Sequence, residues 1–393
     1  MDTSSKIKWD PFSEGYFENP YHHLNRCRTE NPIQEVFTDS YIFFRYDDVN
    51  RIITNKNYKV HSISDYLGKK EPYIFRNTDN ACPFLKESTN LWPMYLNDKI
   101  HKRIRTAISK AFYALPIEAY IKEAIADTNH YFKGQKSLDL VKYCDFYIFS
   151  ITKNLFNFSN EVDINSISRL GNLLAKSQDL FIPKQVYLEI NEEILKNKKL
   201  FLSSRFKDVI LSETIDLNLT EDNILSIMLI SFMASFETSK DNLVMGINEI
   251  LRSRTLTDFV LAATTENIIS LNEEILRFTS PLQYTIRIND EELEIGNRKI
   301  KENSKLYLCI ASANRDDSFF EYPDSIVPNR IKNNHLSFGA GPHVCLGQVL
   351  ARKEMELAIQ PMISFLKDYI LGETLWSKQI FIRTIQSLKA TLI

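Results

Sequence analysis

The chain has 393 residues, 44% hydrophobic and 25% charged, an ordinary globular composition with enough apolar material for a large buried core, which argues against disordered or fibrous classes. Forty-eight basic residues against fifty acidic ones leave a formal charge of −2, so no global basic field exists to attract nucleic acid or anionic lipid.

The N-terminus, Met1-Asp2-Thr3-Ser4-Ser5-Lys6, lacks the apolar core of a signal peptide, and the aromatic cluster from Trp9 to Phe17 is broken by Pro11 and Gly15. Five cysteines (Cys27, Cys82, Cys144, Cys309, Cys345) are odd in number, far apart and free of any C-x-x-C pair, so neither a disulfide framework nor a zinc site is expected. The expectation is a cytoplasmic protein in a reducing compartment, monomeric and without a membrane anchor. No repeat, low-complexity tract or Gly/Ser linker divides the sequence, and a single domain over residues 1–393 is expected.

Tyr41 to Phe44 reads as a strand. Apolar residues at three- and four-residue spacing then predict helices over Asp98 to Ala114, Pro116 to Phe132, Thr220 to Leu251 and Thr265 to Phe278. The longest apolar stretch, Ile224 to Phe236, is too short for a membrane span of about 20 residues and reads as a buried helix. Short strands follow between Thr285 and Ile300, with a turn at Gly296-Asn297, and from Leu306 to Ile310. Pro323 and Pro328 make Ser318 to Asn334 an ordered coil. The result is a mainly α protein with a small β region.

Near the C-terminus stands His335-Leu-Ser-Phe338-Gly339-Ala-Gly341-Pro-His343-Val-Cys345-Leu-Gly347-Gln-Val-Leu-Ala-Arg352-Lys-Glu354. Its spacing, F-x-x-G-x-x-x-C-x-G, resembles the haem-ligand loop of the soluble bacterial cytochromes P450. The resemblance implies that family's fold: a helix-rich triangular prism with haem b between the central long helix and the helix after the cysteine loop. It also implies Cys345 as the iron ligand, Phe338 as its cover from water, and Gly339 and Gly347 among the residues shaping the loop. Glycines let a backbone turn tightly against a flat macrocycle, and a following helix, expected to begin near Leu346, would place its positive end beside the sulfur and favour the thiolate. Pro361 predicts a kink or an early end in that helix.

Three further motifs fit the same family. Glu274 and Arg277, one turn apart, are ordinarily a surface ion pair of little worth. About seventy residues before Cys345, however, they resemble the family's E-x-x-R helix, which implies a buried pair joined by Arg330. His101 and Arg105 share one helical face, and the resemblance assigns them, with Arg287, His343 and His335, to the haem carboxylates. Ala234-Ser235-Phe236-Glu237-Thr238 resembles A-G-x-[DE]-T on the distal side of the haem, implying Glu237 and Thr238 as an acid–alcohol proton relay and Ala234 as a haem contact. Ser235 departs from the pattern, and Ser235 and Thr238 could also bond back to their own helix. Another departure, Asn303 where relatives commonly have glycine, still tolerates a left-handed turn.

The implied activity is insertion of one oxygen atom from O2 into a hydrophobic small molecule, such as a natural-product intermediate. Epoxidation, desaturation and oxidative coupling are alternatives on the same scaffold, and a haem sensor or carrier is the alternative from another class. The sequence has no G-x-G-x-x-G after a strand, so electrons are expected from a separate ferredoxin or flavodoxin with its NAD(P)H reductase. Lys99, Lys102, Arg103 and Lys353 are the candidate basic patch for that donor. The resemblance implies a pocket lined by Phe75, Phe84, Trp92 and Met94, the segment from Leu180 to Tyr187, Ile230, Met233 and Ala234, Leu282 to Thr285, and Thr384 to Gln386, an apolar and aromatic set that suits a hydrophobic ligand.

Overall fold

A computed structural model describes residues 7–60, 82–87, 89–159, 161–295 and 298–393. The turn expected at Gly296-Asn297, and Phe75, lie outside the described residues. In chain order the main elements are α1 (Tyr21–Glu30), β1 (Ile33–Phe37), β2 (Ser40–Phe43), α2 (Tyr46–Thr54), α3 (Asp98–Tyr113), α4 (Ile117–Phe132), β3 (Ser137–Asp139), α5 (Leu140–Phe156), α6 (Ile164–Lys176), α7 (Lys184–Leu202), α8 (Arg205–Glu213), α9 (Glu221–Arg252), α10 (Arg254–Ala262) and α11 (Thr265–Thr279). There follow β4 (Tyr284–Ile288), β5 (Leu293–Ile295), β6 (Arg298–Ile300), β7 (Lys305–Cys309), α12 (Gln348–Leu366), β8 (Tyr369–Trp376) and β9 (Ile385–Leu392).

The chain clusters into two compact units. One comprises Met1–Val60, Ala263–Cys345 and Thr374–Gln386, the other His61–Ala262, Leu346–Glu373 and Ser387–Ile393. The first unit holds a four-stranded sheet of order β1-β2-β7-β4. β2 pairs in parallel with β7, from Ser40↔Lys305 to Phe43↔Leu308, and both strands are nearly continuous buried runs, as strands covered on two faces must be. Asn303 turns into β7 with φ +62°, the left-handed conformation expected of it.

The second unit is built around α9, whose residues Ile224 to Met233 are all buried. Thr220 opens it: its hydroxyl accepts from Asn223 N at 3.2 Å while its own N–H reaches Asn223 Oδ1 at 3.1 Å, a reciprocal cap. Helices α5, α6, α7 and α12 pack against α9. No helix among the described residues is long and apolar enough to cross a membrane.

Helix α12 begins at Gln348, with Gly347 as its cap, and runs through Pro361 to Leu366, so the early end expected there does not occur. Proline holds a φ close to the helical value, so Pro361 continues the helix while losing its own N–H bond toward Leu357 and crowding that residue's carbonyl. Beyond it Met362, Ile363 and Leu366 are completely buried, which offsets that loss.

Candidate functional site

In the first unit the sequence Glu-x-x-Arg on α11 becomes a buried charge cluster. Glu274 and Arg277 have no exposed surface and form a two-pronged pair, with Nε and Nη2 each 2.8 Å from a carboxylate oxygen. Arg330 adds a second fork at 2.9 and 3.0 Å, and Val327 N donates to Glu274 Oε1 at 2.9 Å. The remaining prongs of Arg277 hold the carbonyls of Asn314, Pro323 and Ser325. Burial works to raise the Glu274 pKa, but hydrogen bonds from Arg277 and Arg330 outweigh it and hold the carboxyl below its usual range. The coil from Ser318 to Asn334 is thereby fastened to α11 at several points.

Beyond the coil lies the cysteine loop. Asn314, in the turn after β7, accepts from Leu336 N at 2.7 Å and donates to Ser280 Oγ and Ser337 Oγ. Cys345 N then closes the loop onto Phe338 O at 2.7 Å. Gly339 and Gly341 have φ of +66° and +67°, and a Cβ on Gly341 would stand 2.9 Å from Ile53 O and 3.0 Å from Thr54 Cα. The tight turning falls to these two glycines, because Gly347 has φ −83° and needs no special freedom. Cys345 is half-buried, whereas the other four cysteines are buried.

Around the loop, His335 has both ring nitrogens engaged, Nε2 at 3.3 Å from Glu273 and Nδ1 accepting from Ser337 N at 3.2 Å. Its ring lies 5.9 Å from that of Phe338. His343 is half-buried. On β4, Arg287 is buried, and the acceptors it finds among the described residues are Thr285 Oγ1 at 3.3 Å and Ile286 O at 2.9 Å. No carboxylate faces it among the described residues, and desolvation pulls its pKa down to about 10.

The second unit carries the other candidates. Ala234 is exposed within the otherwise buried middle of α9, and Thr238, one turn on, is half-buried. Ser235 Oγ donates to Phe232 O at 3.0 Å and Thr238 Oγ1 to Ala234 O at 2.8 Å, so both hydroxyls do bond back to their own helix. Glu237 and Thr238 do not bond each other. Glu237 is buried with Lys240 Nζ at 2.7 Å, and Lys240 also reaches Asp145 on α5 at 3.6 Å. Burial disfavours the Lys240 charge, but Glu237 and Asp145 more than restore it and leave its pKa raised. Burial likewise raises the Glu237 pKa, with Lys240 opposing. On α6 a Cβ at Gly171 would stand 2.7 Å from Glu237 Oε1, so glycine there leaves room for the carboxylate.

On α3 the His101 ring is buried and Arg105 is half-buried on the same face. The expected basic patch is thinner than its composition: Arg103 pairs with Asp216, and Lys353 with Glu118 and Glu356. Lys99 and Lys102 remain exposed.

Glu354 on α12 is buried, accepts from Ser239 Oγ at 2.7 Å, and has its pKa pushed up to about 8 by desolvation. A folded pKa above the unfolded one means the folded chain binds the extra proton between those values, so stability falls as pH rises through that window. Glu354→Gln should therefore flatten the loss of stability between about pH 5 and 8. Denaturation midpoints across that range check it, and an unchanged slope counts against a neutral Glu354.

Sequence reasoning missed Lys240 and Asn314. The signal for Lys240 was its one-turn spacing from Glu237 within an apolar helix. Asn314 gave only its place in Ala313-Asn314-Arg315-Asp316.

Comparison with known proteins points one way. A family model described as Cytochrome P450 matches residues 265–367. The biotin biosynthesis cytochrome P450 of Bacillus subtilis (strain 168) is 25% identical over 391 residues, 93% of this chain and 93% of its own length. The epothilone C/D epoxidase of Sorangium cellulosum is 25% identical over 422 residues, 100% of this chain and 96% of its own. A crystal structure of P450BioI, in complex with hexadec-9Z-enoic acid ligated acyl carrier protein, matches with a TM-score of 0.81 at 23% identity, covering 96% of this chain and 99% of that one.

Proposed function

Because the chain belongs to the cytochrome P450 superfamily, a haem-thiolate monooxygenase with haem b as its cofactor, we propose that Cys345 is the iron ligand and that a hydrophobic small molecule is the substrate. The observation that carries this assignment is the loop itself. Its half-buried cysteine sits at the end of a turn that two left-handed glycines shape and Asn314 anchors. Bound haem supplies the oxygen-activating chemistry, and a thiolate pushes electron density toward the iron that favours O–O cleavage.

The residues fit such a group. Arg287 is a buried guanidinium with no carboxylate facing it among the described residues, and a haem carboxylate would supply the charge-assisted partner. His343, His101 and Arg105 are assigned to the same task. His335 is assigned to holding the loop, since both of its ring nitrogens are in use. Phe338 and Gly339 shape the cover of Cys345, and Ala234 leaves open space on α9. Thr238 is assigned to the oxygen site, and Glu237, ion-paired with Lys240 at 2.7 Å, to proton delivery.

The substrate class draws support from relatives. Their names include biotin biosynthesis, polyketide biosynthesis and an epothilone epoxidase, and one similar structure contains a fatty acyl chain on a carrier protein. A natural-product intermediate is the substrate proposed here, with Leu282 to Thr285 and Thr384 to Gln386 among the pocket walls. Electrons come from a separate ferredoxin or flavodoxin with its NAD(P)H reductase.

Ligands that shift the Soret band, found by library screening and followed by product analysis, test substrate and reaction together. Thr238→Ala should then divert reducing equivalents into hydrogen peroxide and lower product per NAD(P)H severalfold, while ligand binding persists. Ser235→Gly should change coupling little, because the Ser235 hydroxyl is turned onto Phe232 O. Severe uncoupling in Ser235→Gly alone would transfer the oxygen-site role to the serine.

A further inference from the structure

The N-terminal stretch of the first unit makes contacts that the assigned site does not use. Trp9 N donates to Gln34 Oε1 at 2.7 Å, and its indole Nε1 reaches the Tyr284 hydroxyl at 3.1 Å. Tyr16 places its own hydroxyl 2.6 Å from that of Tyr284, with both side chains buried. A few residues on, the carbonyls of Phe17 and Glu18 accept from Arg383 at 2.8 and 2.7 Å, and the guanidinium lies 3.6 Å over the Trp376 ring.

Tyr284 and Arg383 belong to two stretches that are knitted together. Gln283 N donates to Phe381 O and Arg383 N to Pro281 O, each at 2.8 Å, and Leu282 pairs antiparallel with Ile382. The same N-terminal stretch thus grips one strip through Tyr284 and the other through Arg383. A planar guanidinium donating to two successive carbonyls fixes orientation as well as distance, which a single flexible contact does not.

We propose that the stretch from Trp9 to Glu18 is a brace that sets the position of both strips, with Arg383 as its positioning residue, so that substrate fit is tuned from outside the pocket. This rests on the reading that Leu282 to Thr285 and Thr384 to Gln386 line that pocket. Displacement of a binding wall by about an ångström is costly to fit, even when no lining residue changes.

The experiment compares the haem-loaded protein with Arg383→Met, Arg383→Lys and Leu282→Phe. Carbon monoxide spectra monitor haem ligation, Soret titrations with dodecanoic acid and with econazole give dissociation constants, and hydrogen exchange follows the peptide covering residues 377–386. Arg383→Met should keep the carbon monoxide band, weaken binding of at least one probe about tenfold and speed exchange, as expected for loss of a charged pin. Arg383→Lys should recover part of both effects, since an ammonium can reach one carbonyl. Leu282→Phe should change binding without changing exchange.

Unchanged binding and exchange in Arg383→Met, beside altered binding in Leu282→Phe, overturn the brace and leave the pocket reading standing. If binding is unchanged in both variants, the pocket reading fails and the brace falls with it as a substrate device. Should Arg383→Met lose haem, Arg383→Lys decides: wild-type binding and exchange in that variant overturn the proposal.

Discussion

Cys345→Ser should abolish the red-shifted Soret band of the reduced carbon monoxide complex, while the wild-type protein shows that band with one b-type haem per chain. A serine hydroxyl does not ionise at neutral pH and cannot supply the electron density of a thiolate. The substitution leaves the loop's framework in place. Cys345 N still closes onto Phe338 O, and Asn314 still holds Leu336 and Ser337, since neither contact uses the sulfur. The readout therefore isolates ligation from folding. Cys309→Ser, at a buried cysteine on β7, is the matched control and should keep the band. A surviving band in Cys345→Ser would mean that the thiolate lies elsewhere, and the central assignment would fall.

The second large effect is on folding. Glu274→Ala leaves Arg277 and Arg330 facing each other in a buried place, and Arg277→Ala takes one of two guanidinium forks from Glu274 and frees the carbonyls of Asn314, Pro323 and Ser325. Breaking a buried pair by deleting one partner costs about 3–5 kcal/mol. Domains have about 5–15 kcal/mol in total, so haem-free or insoluble protein is the expected outcome. Arg254→Ala, which removes an exposed pair with Asp258, should cost under about 1 kcal/mol.

The sign of the pH dependence follows from the same cluster. Glu274 has its pKa held below the ordinary value, so its contribution is complete above that ordinary value and is lost as pH falls through the lower, folded one. In Glu274→Gln that acid limb should flatten. Chemical denaturation with haem content as a second probe checks all four variants, and a soluble, fully loaded Glu274→Ala would show that the cluster does not hold the coil.

Much of this was legible in the residues because the signals are local. The spacing of apolar residues marked α3, α4, α9 and α11 almost to their ends, and the coil after Ser318 announced itself by its prolines. The E-x-x-R pair and the cysteine motif were readable for the same reason: each is a short pattern with a fixed geometric consequence. The rest was set by distant partners. β3 has three residues, and only pairing with Lys389 to Thr391 makes it a strand. Lys240 was not singled out, since its one-turn spacing from Glu237 is local but Asp145 comes from another helix. His335 carries a family-like position, yet Glu273 and Ser337 claim its ring, and no spacing rule ranks those contacts against a haem carboxylate.

The parallel pairing of β2 with β7 has a consequence for how the protein comes into being. β2 leaves the ribosome about 260 residues before β7, which at about 5–20 residues per second is tens of seconds in which β1 covers one edge of an apolar strand and the other edge waits unpaired. In that interval Tyr41, Ile42 and Phe43 are an edge open to the wrong neighbour. Lowering the rate or temperature of synthesis lengthens the wait in proportion, and chaperone supply during translation becomes a determinant of yield that the finished structure no longer displays.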